Sequence, residues 1–284
     1  MKQIGFYNGR IAPLENLTMP ILDRAVYFGD GVYDATYGRN KTPFALDDHI
    51  ERFYSGCGKL EIPFDFERGE LDALLRMLCR ELDEDGDFML YWQVSRGTGI
   101  RAHIFPDTEQ SKPNLLIMVY EKRVMPVSKR LKLITLPDLR FQLCHIKTLN
   151  LIPSVLASQR VRESSADETV FHRDGVVTEC AHSNVHILKD GVFRTHPLDC
   201  HILPGVTRKH LIQFCGELGI PVEERAFTLD EMLSADEVIV TSCGTLCNPV
   251  EEIDGVPVGG KGGAALANLQ AAYEQRFLEG TLNS

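Results

Sequence analysis

The length, composition and charge of the sequence exclude several classes of protein. The chain has 284 residues, enough for two medium-sized domains, and its 44% hydrophobic and 25% charged residues are ordinary for a soluble globular protein. Its 40 acidic residues outnumber 30 basic ones without any long basic run, so we expect no nucleic-acid partner. The N-terminus lacks the apolar core of a signal peptide, and no segment approaches the roughly 18 apolar residues that span a bilayer. We therefore expect a cytoplasmic protein without membrane contact.

Hairpin and helix signals alternate along the chain. Asn-Gly and Asp-Gly pairs tolerate the positive φ angles of tight hairpin turns, and four lie between short β-rich runs: Asn8-Gly9, Asp174-Gly175, Asp190-Gly191 and Asp254-Gly255. Two amphipathic helices are predicted at "DDHIERFYSGCGKL", with Asp47 or Asp48 as the N-cap, and at "ERGELDALLRMLCREL". Strands in hairpins with helices between them predict an α/β fold of the α+β type.

The run "YWQVSRGTGIRAHIFP" ends an apolar strand in a glycine-bearing loop that carries Arg101 and His103. Residues two apart in an extended segment project to the same side, which suits a clamp on a carboxylate. The alternative is an exposed basic loop without a ligand. Beyond the next strand, a charged, proline-bearing segment indicates a linker at 123–128 between an N-terminal α/β domain, 1–122, and a C-terminal α/β domain, 129–284.

Lys147 lies in "FQLCHIKTLNLIPSVL", which is largely apolar on both sides of it. A charged ammonium there would lose much of its hydration, which favours a neutral amine that condenses with a carbonyl as a Schiff base. The alternative is a lysine whose methylene stem lies along apolar surface while its head group reaches water. Lys147 alone does not separate the two interpretations.

Two later motifs offer a carboxylate and an anion site. Glu179 ends the strand "VVTE". One interpretation is that its carboxylate is simply solvated. The other is that it pairs with a protonated nitrogen of a heterocyclic ring, which then serves as an electron sink. In "LPGVTRKHLIQFCGEL", a Pro-Gly turn and Thr207 open a helix that Gly219 ends. The unpaired N–H groups and the dipole at such a helix start favour an anion.

Cysteine and histidine residues also permit a metal or thiol site. The eight cysteines are scattered, with one C-x3-C at Cys243 and Cys247, and Cys180, His182 and His186 lie close together in sequence. Neither group has the paired spacing of a structural zinc site. We therefore expect free thiols and no metal.

Six motifs in order along the chain resemble those of the class IV aminotransferases, which depend on pyridoxal 5'-phosphate: "YFGDGVYD", "HIERFY", "RGTGIRAH", "IKTLNLI", "GVVTECAHSNV" and "LPGVTR". The resemblance runs from residue 4 to about residue 250. It implies the two-domain architecture of fold type IV, with the cofactor between the domains, and a homodimer. Within the family the likeness is to D-amino acid aminotransferase, because of the Arg-Ala-His loop and the "IKTLN" segment.

The resemblance also implies a role for each candidate residue. Lys147 resembles the Schiff-base lysine, and Glu179 resembles the partner of the pyridine nitrogen. The cofactor phosphate is expected at Arg52, Val206, Thr207, Ser242 and Cys243. The substrate carboxylate is expected at Tyr33, Arg101 and His103, of which Arg101 and His103 reach across from the partner subunit.

Several reactions are compatible with these residues. We expect transamination of D-amino acids such as D-alanine or D-glutamate with 2-oxo acids such as 2-oxoglutarate or pyruvate, because Arg101-Ala102-His103 resembles the carboxylate trap of those enzymes. An aminodeoxychorismate lyase would use the same lysine to eliminate pyruvate, and a branched-chain L-aminotransferase would reverse the stereochemistry. A metal- or thiol-dependent binding protein leaves Lys147 unexplained. The departures from the family pattern, at Cys180, His182, Cys243 and Gly244, leave cofactor affinity and side-chain preference open.

Overall fold

The computed structural model describes residues 3–83 and 85–282, which group by their contacts into two compact units. The first unit contains the residues up to Val124, the segment Ile146–Asn150 and the residues from Leu278 onward; the second contains Met125–His145 and Leu151–Phe277. The grouping changes at Val124, inside the predicted linker 123–128. Lys147, however, groups with the first unit and not with 129–284, because backbone hydrogen bonds tie its segment to residues 31 to 33.

The first unit is built on an antiparallel sheet, which the described residues form with six strands in the order β2-β1-β6-β5-β3-β4. These strands are β1 Gln3–Tyr7, β2 Arg10–Ala12, β3 Gly31–Arg39, β4 Thr42–Pro43, β5 Asp87–Ser95 and β6 Asn114–Glu121. Its helices are α1 Arg24–Phe28, α2 Leu46–Lys59 and α3 Arg68–Arg80, and a short 3-10 helix covers Leu14–Asn16.

The core of the first unit lies between its sheet and two of its helices. Phe53 of α2 and Leu75 of α3 pack in one buried cluster with Trp92 of β5. Both predicted helices are confirmed, but the predicted N-cap of α2 is wrong. The helix begins at Leu46 after Ala45, whose φ is 50°, so the two aspartates lie inside the first turn, where their charge favours the helix dipole.

The second unit is built on a mixed sheet, in which the described strands follow the order β12-β11-β10-β13-β14-β7-β8-β9, with β15 beside β14. The pairs β11–β12, β14–β7 and β7–β8 are parallel and the others antiparallel. These strands are β7 Leu131–Pro137, β8 Glu168–Arg173, β9 Val176–Cys180, β10 Asn184–Lys189, β11 Val192–Thr195, β12 Val222–Glu224, β13 Glu237–Thr241, β14 Asn248–Ile253 and β15 Val256–Pro257. Its helices are α4 Ile152–Ser164, α5 Val206–Glu217, α6 Leu229–Leu233 and α7 Gly263–Gly280, the last belonging to this unit as far as Phe277.

Local turn chemistry accounts for much of this topology. All four predicted hairpins are present, joining β1–β2, β8–β9, β10–β11 and β14–β15. In each turn both residues have positive φ, for example 49° at Asp174 and 82° at Gly175. The third predicted helix is also confirmed as α5, followed by Gly219 at φ 67°. The mixed α/β fold is confirmed, and among the described residues no helix is long and apolar enough to cross a bilayer.

Candidate active site

Strand β3 holds the backbone of Lys147. The carbonyl oxygen of Lys147 accepts a hydrogen bond from the Tyr33 N–H at 2.9 Å, and Thr148 forms a β-bridge with Val32. Lys147 is half-buried between the buried residues Ile146 and Thr148. Its Nζ lies 4.3 Å from the centroid of the Tyr33 ring. The first unit thus places the candidate nucleophile against a candidate substrate-binding residue.

The apolar run that surrounds Lys147 is not uniformly buried. On α4, Ile152, Val155 and Leu156 are 69%, 60% and 59% exposed, and Phe141 and Leu143 are also exposed. The interpretation of the run as a desolvating core is therefore wrong for much of its length. The half-burial of Lys147 comes instead from β3 and its own neighbours. Exposed apolar side chains at i, i+3 and i+4 of a helix are typical of a surface that another chain covers.

Arg52 is held by a buried carboxylate that sequence reasoning missed. Its Nε and Nη2 donate to the two oxygens of Asp34 at 2.8 and 2.7 Å, and His49 Nδ1 lies 2.8 Å from Asp34 Oδ1. Asp34 is fully buried, which alone raises its pKa, but the charge and hydrogen bonds of Arg52, together with the contact with His49, outweigh burial and hold this pKa well below its usual range. Burial lowers the pKa of His49, so its ring is neutral at pH 7. The guanidinium therefore has a fixed orientation.

Glu179 is buried in the second unit, which excludes the solvated alternative. Glu179 is 5% exposed, and its Oε1 accepts a hydrogen bond from Arg140 Nη1. Its Oε2 accepts from Asn184 Nδ2 and from the Leu203 N–H, both at 2.9 Å. Three donors, one of them charged, stabilise the negative charge of this carboxylate.

Arg140 in turn is fixed by Asp138. Its Nε and Nη2 donate to the two oxygens of Asp138 at 2.9 Å each, and Arg173 Nε donates to the same carboxylate at 3.2 Å. Burial alone raises the pKa of Asp138, but the hydrogen bonds and charge of Arg140 outweigh it and lower this pKa. The Asp138 hydrogen bond and the Glu179 charge raise the pKa of Arg140 despite its burial. No local sequence pattern predicts this network, because Arg140 and Glu179 are 39 residues apart.

The start of α5 has the properties of an anion site. Gly205 occupies the N-cap position, and no side chain caps the amides that follow. Val206 and Thr207 are 6% and 4% exposed. A Cβ at Gly205 would lie 2.0 Å from Asn184 Oδ1, so only glycine lets the helix start approach this amide. Asn184 therefore contacts both Glu179 and the helix start.

Two further candidate groups of the second unit are the Ser242 and Cys243 pair and the buried His186. Ser242 and Cys243 are half-buried in the loop after β13, where Ser242 Oγ accepts from the Gly244 N–H at 3.3 Å. His186 is buried with its two nitrogens 2.9 and 2.8 Å from the hydroxyls of Thr195 and Thr241. Within residues 3–83 and 85–282, no group of three His, Cys, Asp or Glu side chains is arranged to hold a metal ion.

Arg101 and His103 lie in an exposed loop of the first unit and meet on one aromatic ring. The Arg101 guanidinium carbon lies 5.1 Å from the centroid of the Phe28 ring, and the His103 ring centroid also lies 5.1 Å from it. The segment is not a strand, so the spacing argument that paired these residues does not describe their backbone. The ring of Phe28 brings them together instead.

Each unit holds part of the candidate set. The first unit contains Lys147, Arg52, Tyr33, Arg101 and His103. The second contains Glu179, Val206, Thr207, Ser242 and Cys243. Sequence reasoning missed the groups that hold these residues, namely Asp34, His49, Arg140, Asn184 and the Leu203 N–H. The i, i+3 spacing of His49 and Arg52 on α2 was the one available signal.

Comparison with known proteins gives consistent matches along the chain. The family described as amino-transferase class IV matches residues 31–253. A D-alanine aminotransferase from Bacillus licheniformis is 37% identical over 276 residues, covering 97% of each chain. One from Staphylococcus aureus (strain MSSA476) is 33% identical over 273 residues, covering 95% of this chain and 96% of that protein.

Solved structures with the same fold are also similar. The branched-chain aminotransferase from Thermoproteus uzoniensis superposes with a TM-score of 0.86 at 21% identity, covering 98% of this chain and 96% of that one. The fold IV transaminase CpuTA1 from Curtobacterium pusillum superposes with a TM-score of 0.79 at 22% identity, covering 92% of each. The fold type IV expectation is confirmed.

Enzymes of class IV use pyridoxal 5'-phosphate, and the side chains described above fit that group. A lysine amine is available to an aldehyde, and a buried, charge-stabilised carboxylate suits a protonated ring nitrogen. The uncapped start of α5, where a Cβ at Gly205 would collide with Asn184, suits a phosphate. Lys147 in the first unit, and Glu179 and the α5 start with Val206 and Thr207 in the second, each have a chemistry that suits one part of this group.

Proposed function

We propose that this chain, which belongs to the class IV aminotransferases, transfers amino groups between D-amino acids and 2-oxo acids. The observation that carries the proposal is that two basic residues, Arg101 and His103, both pack on the single ring of Phe28. Such a pair suits a substrate carboxylate. The near full-length similarity to D-alanine aminotransferases supports D-alanine, with pyruvate or 2-oxoglutarate as the amino acceptor.

Lys147 acts as the nucleophile and then as the base. When bound, pyridoxal phosphate supplies an aldehyde that condenses with amines and a ring that accepts an electron pair. Lys147 would hold this group through its Nζ, and the same amine, when free, would take the proton from the substrate Cα. The backbone of Lys147 is fixed by Tyr33, so its Nζ works from a defined anchor point.

Glu179 holds a proton on the pyridine nitrogen. Its carboxylate is kept in place by Arg140, Asn184 and the Leu203 N–H, so it does not reorganise when charge develops. The start of α5 with Val206 and Thr207 holds the phosphate, and Arg52, Ser242 and Cys243 complete the set of candidate contacts.

Handedness follows from where the carboxylate is bound. The base removes only a hydrogen that faces it, so the position of the carboxylate decides which enantiomer reacts. Tyr33, Arg101 and His103 form the proposed carboxylate trap, with Arg101 and His103 supplied by the partner subunit of a homodimer. The loop suits an interface, because Ile100 and Ile104 are 81% and 77% exposed beside these residues.

Substrate assays and a mass measurement test the proposal. D-Alanine with 2-oxoglutarate should be converted, while L-leucine should react far more slowly; a preference for L-leucine would contradict the proposal. Arg101→Ala should raise the KM for D-alanine by about 10-fold or more, since it removes a charge-assisted contact. Hydride reduction followed by peptide mass spectrometry should place the added mass on Lys147, and a different site would exclude its proposed role.

A further inference from the structure

Three basic residues of the first unit pack against the ring of Phe28. Arg101 and His103 lie 5.1 Å from its centroid, and the guanidinium carbon of Arg24 lies 4.8 Å from it. An arginine within about 6 Å of a ring centroid is attracted by the negative face of the ring. Phe28 therefore contacts both Arg101 and His103 of the proposed carboxylate trap.

The backbone of the same loop is tied to the segment that carries Phe28. Arg24 Nη1 donates to the Ala102 carbonyl at 2.8 Å, between the two trap residues. The Arg24 N–H donates to Gly97 O at 2.9 Å, and Tyr27 Oη donates to Gly99 O at 2.5 Å. The loop and α1 are thus one connected piece of structure.

Arg24 is itself fixed by the partly buried carboxylate of Asp30. Its Nε donates to Asp30 Oδ2 at 2.7 Å, and Arg96 Nε donates to the same oxygen at 2.9 Å. The Arg24 and Arg96 side chains are each 5% exposed. The base of the loop is held by these hydrogen bonds, whereas the side chains of Arg101 and His103 are exposed and rest on the ring of Phe28.

We propose that Phe28 is a positioning residue, whose ring pre-orients Arg101 and His103 to receive the substrate carboxylate. This inference rests on the proposed function. An exposed arginine samples many rotamers, and ordering it on binding costs free energy. A ring that already restricts the side chain lowers that cost, so the benefit appears in carboxylate binding and not in proton transfer.

The test compares Phe28→Leu with Phe28→Tyr in the holoenzyme. Phe28→Leu removes the ring. It should raise the KM for D-alanine by about fivefold, as expected for loss of roughly 1 kcal/mol. The Kd for D-lactate, which has the carboxylate but no amine, should rise by about the same factor. The kcat, and the single-turnover rate with D-alaninol, an amine without a carboxylate, should not change. Phe28→Tyr keeps the ring and should restore both constants. Phe66→Leu removes a ring that stacks on Phe64 and serves as the matched control.

The outcomes separate this inference from the proposed function. The inference is overturned if Phe28→Leu leaves the Kd for D-lactate unchanged, or if Phe28→Leu and Phe28→Tyr weaken D-lactate binding equally. Neither result affects the turnover of D-alanine by the wild type, on which the proposed function depends. A wild type that does not convert D-alanine overturns the proposed function, whatever Phe28 does. If Phe28→Leu does not fold, Phe28→Met, which keeps the apolar volume without a ring, is judged by the same two constants.

Discussion

Replacing Arg140 with methionine tests the buried charge network around Glu179. The Arg140 side chain is 11% exposed and contacts Asp138 and Glu179, whose side chains are 0% and 7% exposed. Removing one partner of a buried ion pair lowers the free energy of unfolding by about 3 to 5 kcal/mol. Asp138 loses the two hydrogen bonds from Arg140 but keeps its contact with Arg173, whereas Glu179 loses the hydrogen bond from Arg140 Nη1. We therefore expect a loss of about 3 kcal/mol for Arg140→Met in the apoprotein at neutral pH.

The loss should depend on pH in a defined direction. Arg140 holds the pKa of Asp138 below its value of 3.8 in an unfolded chain. A carboxylate whose pKa is lower in the folded protein than in the unfolded chain stabilises the protein at pH values above the unfolded pKa. This stabilisation is lost as the pH falls through the pKa of the folded protein. The difference between wild type and Arg140→Met should therefore be full at neutral pH and shrink below about pH 4.

Urea unfolding of the apoprotein, followed by circular dichroism at a series of pH values, measures this difference. Arg173→Met is the matched control, because Arg173 has a 27% exposed side chain and one ion pair to Asp138 at 3.2 Å, and it should cost about 1 kcal/mol. In a double-mutant cycle, Arg140→Met should cost less when Glu179 is already glutamine, with a coupling of about 1 kcal/mol or more. Equal stability of Arg140→Met and wild type, or no coupling to Glu179, would refute the reasoning.

Three further changes have expected outcomes. Glu179→Gln should lower kcat for D-alanine by about 100-fold in steady-state assays while KM changes little, because it removes preorganised charge; an unchanged kcat contradicts that role. Gly205→Ala should lower the free energy of unfolding by about 1 to 3 kcal/mol in thermal melts, because its Cβ would lie 2.0 Å from Asn184 Oδ1. Gly216→Ala is the control: a Cβ there would meet nothing within 4 Å, so the free energy of unfolding should rise by about 0.5 to 1 kcal/mol. Burial lowers the pKa of His186 to about 3, so below about pH 6.5 the unfolded chain binds a proton that the folded protein does not. The free energy of unfolding of the wild type should therefore fall by up to roughly 1.4 kcal/mol for each pH unit below about 6.5. His186→Gln should flatten that slope. Equal slopes in the two proteins would exclude His186 as the cause.

Features that are determined locally were predictable from the sequence. The Asp190-Gly191 pair specifies its own hairpin, because both residues must adopt positive φ, and their φ angles are 53° and 74°. The amphipathic spacing of α2 likewise identifies the face that carries Ile50 and Phe53. The site motifs were recognisable because their order along the chain resembles a family, not because any one of them determines its chemistry.

The partners that fix the site residues were not predictable, because they are distant in sequence. Asp34 is 18 residues from Arg52, and Arg140 is 39 residues from Glu179. Such contacts depend on strand order and register, which local patterns do not specify. The pairing of Arg101 with His103 is a related case. Their spacing suggested a common side, but the structure achieves it through Phe28, 73 residues before Arg101 along the chain.

The two departures next to Glu179 have a structural explanation in the turn between β9 and β10. His182 Nδ1 lies 2.7 Å from Oε2 of Glu168, a residue 3% exposed. Burial alone raises the pKa of Glu168, but the contact with His182 and the hydrogen bonds from Thr169 and Ser183 together outweigh it and lower this pKa. Burial raises the pKa of Cys180 well above its usual value, so this side chain remains a neutral thiol inside the sheet. A small residue at 182 would remove this contact, so His182 ties the turn that joins Glu179 to Asn184 to the buried Glu168 of β8.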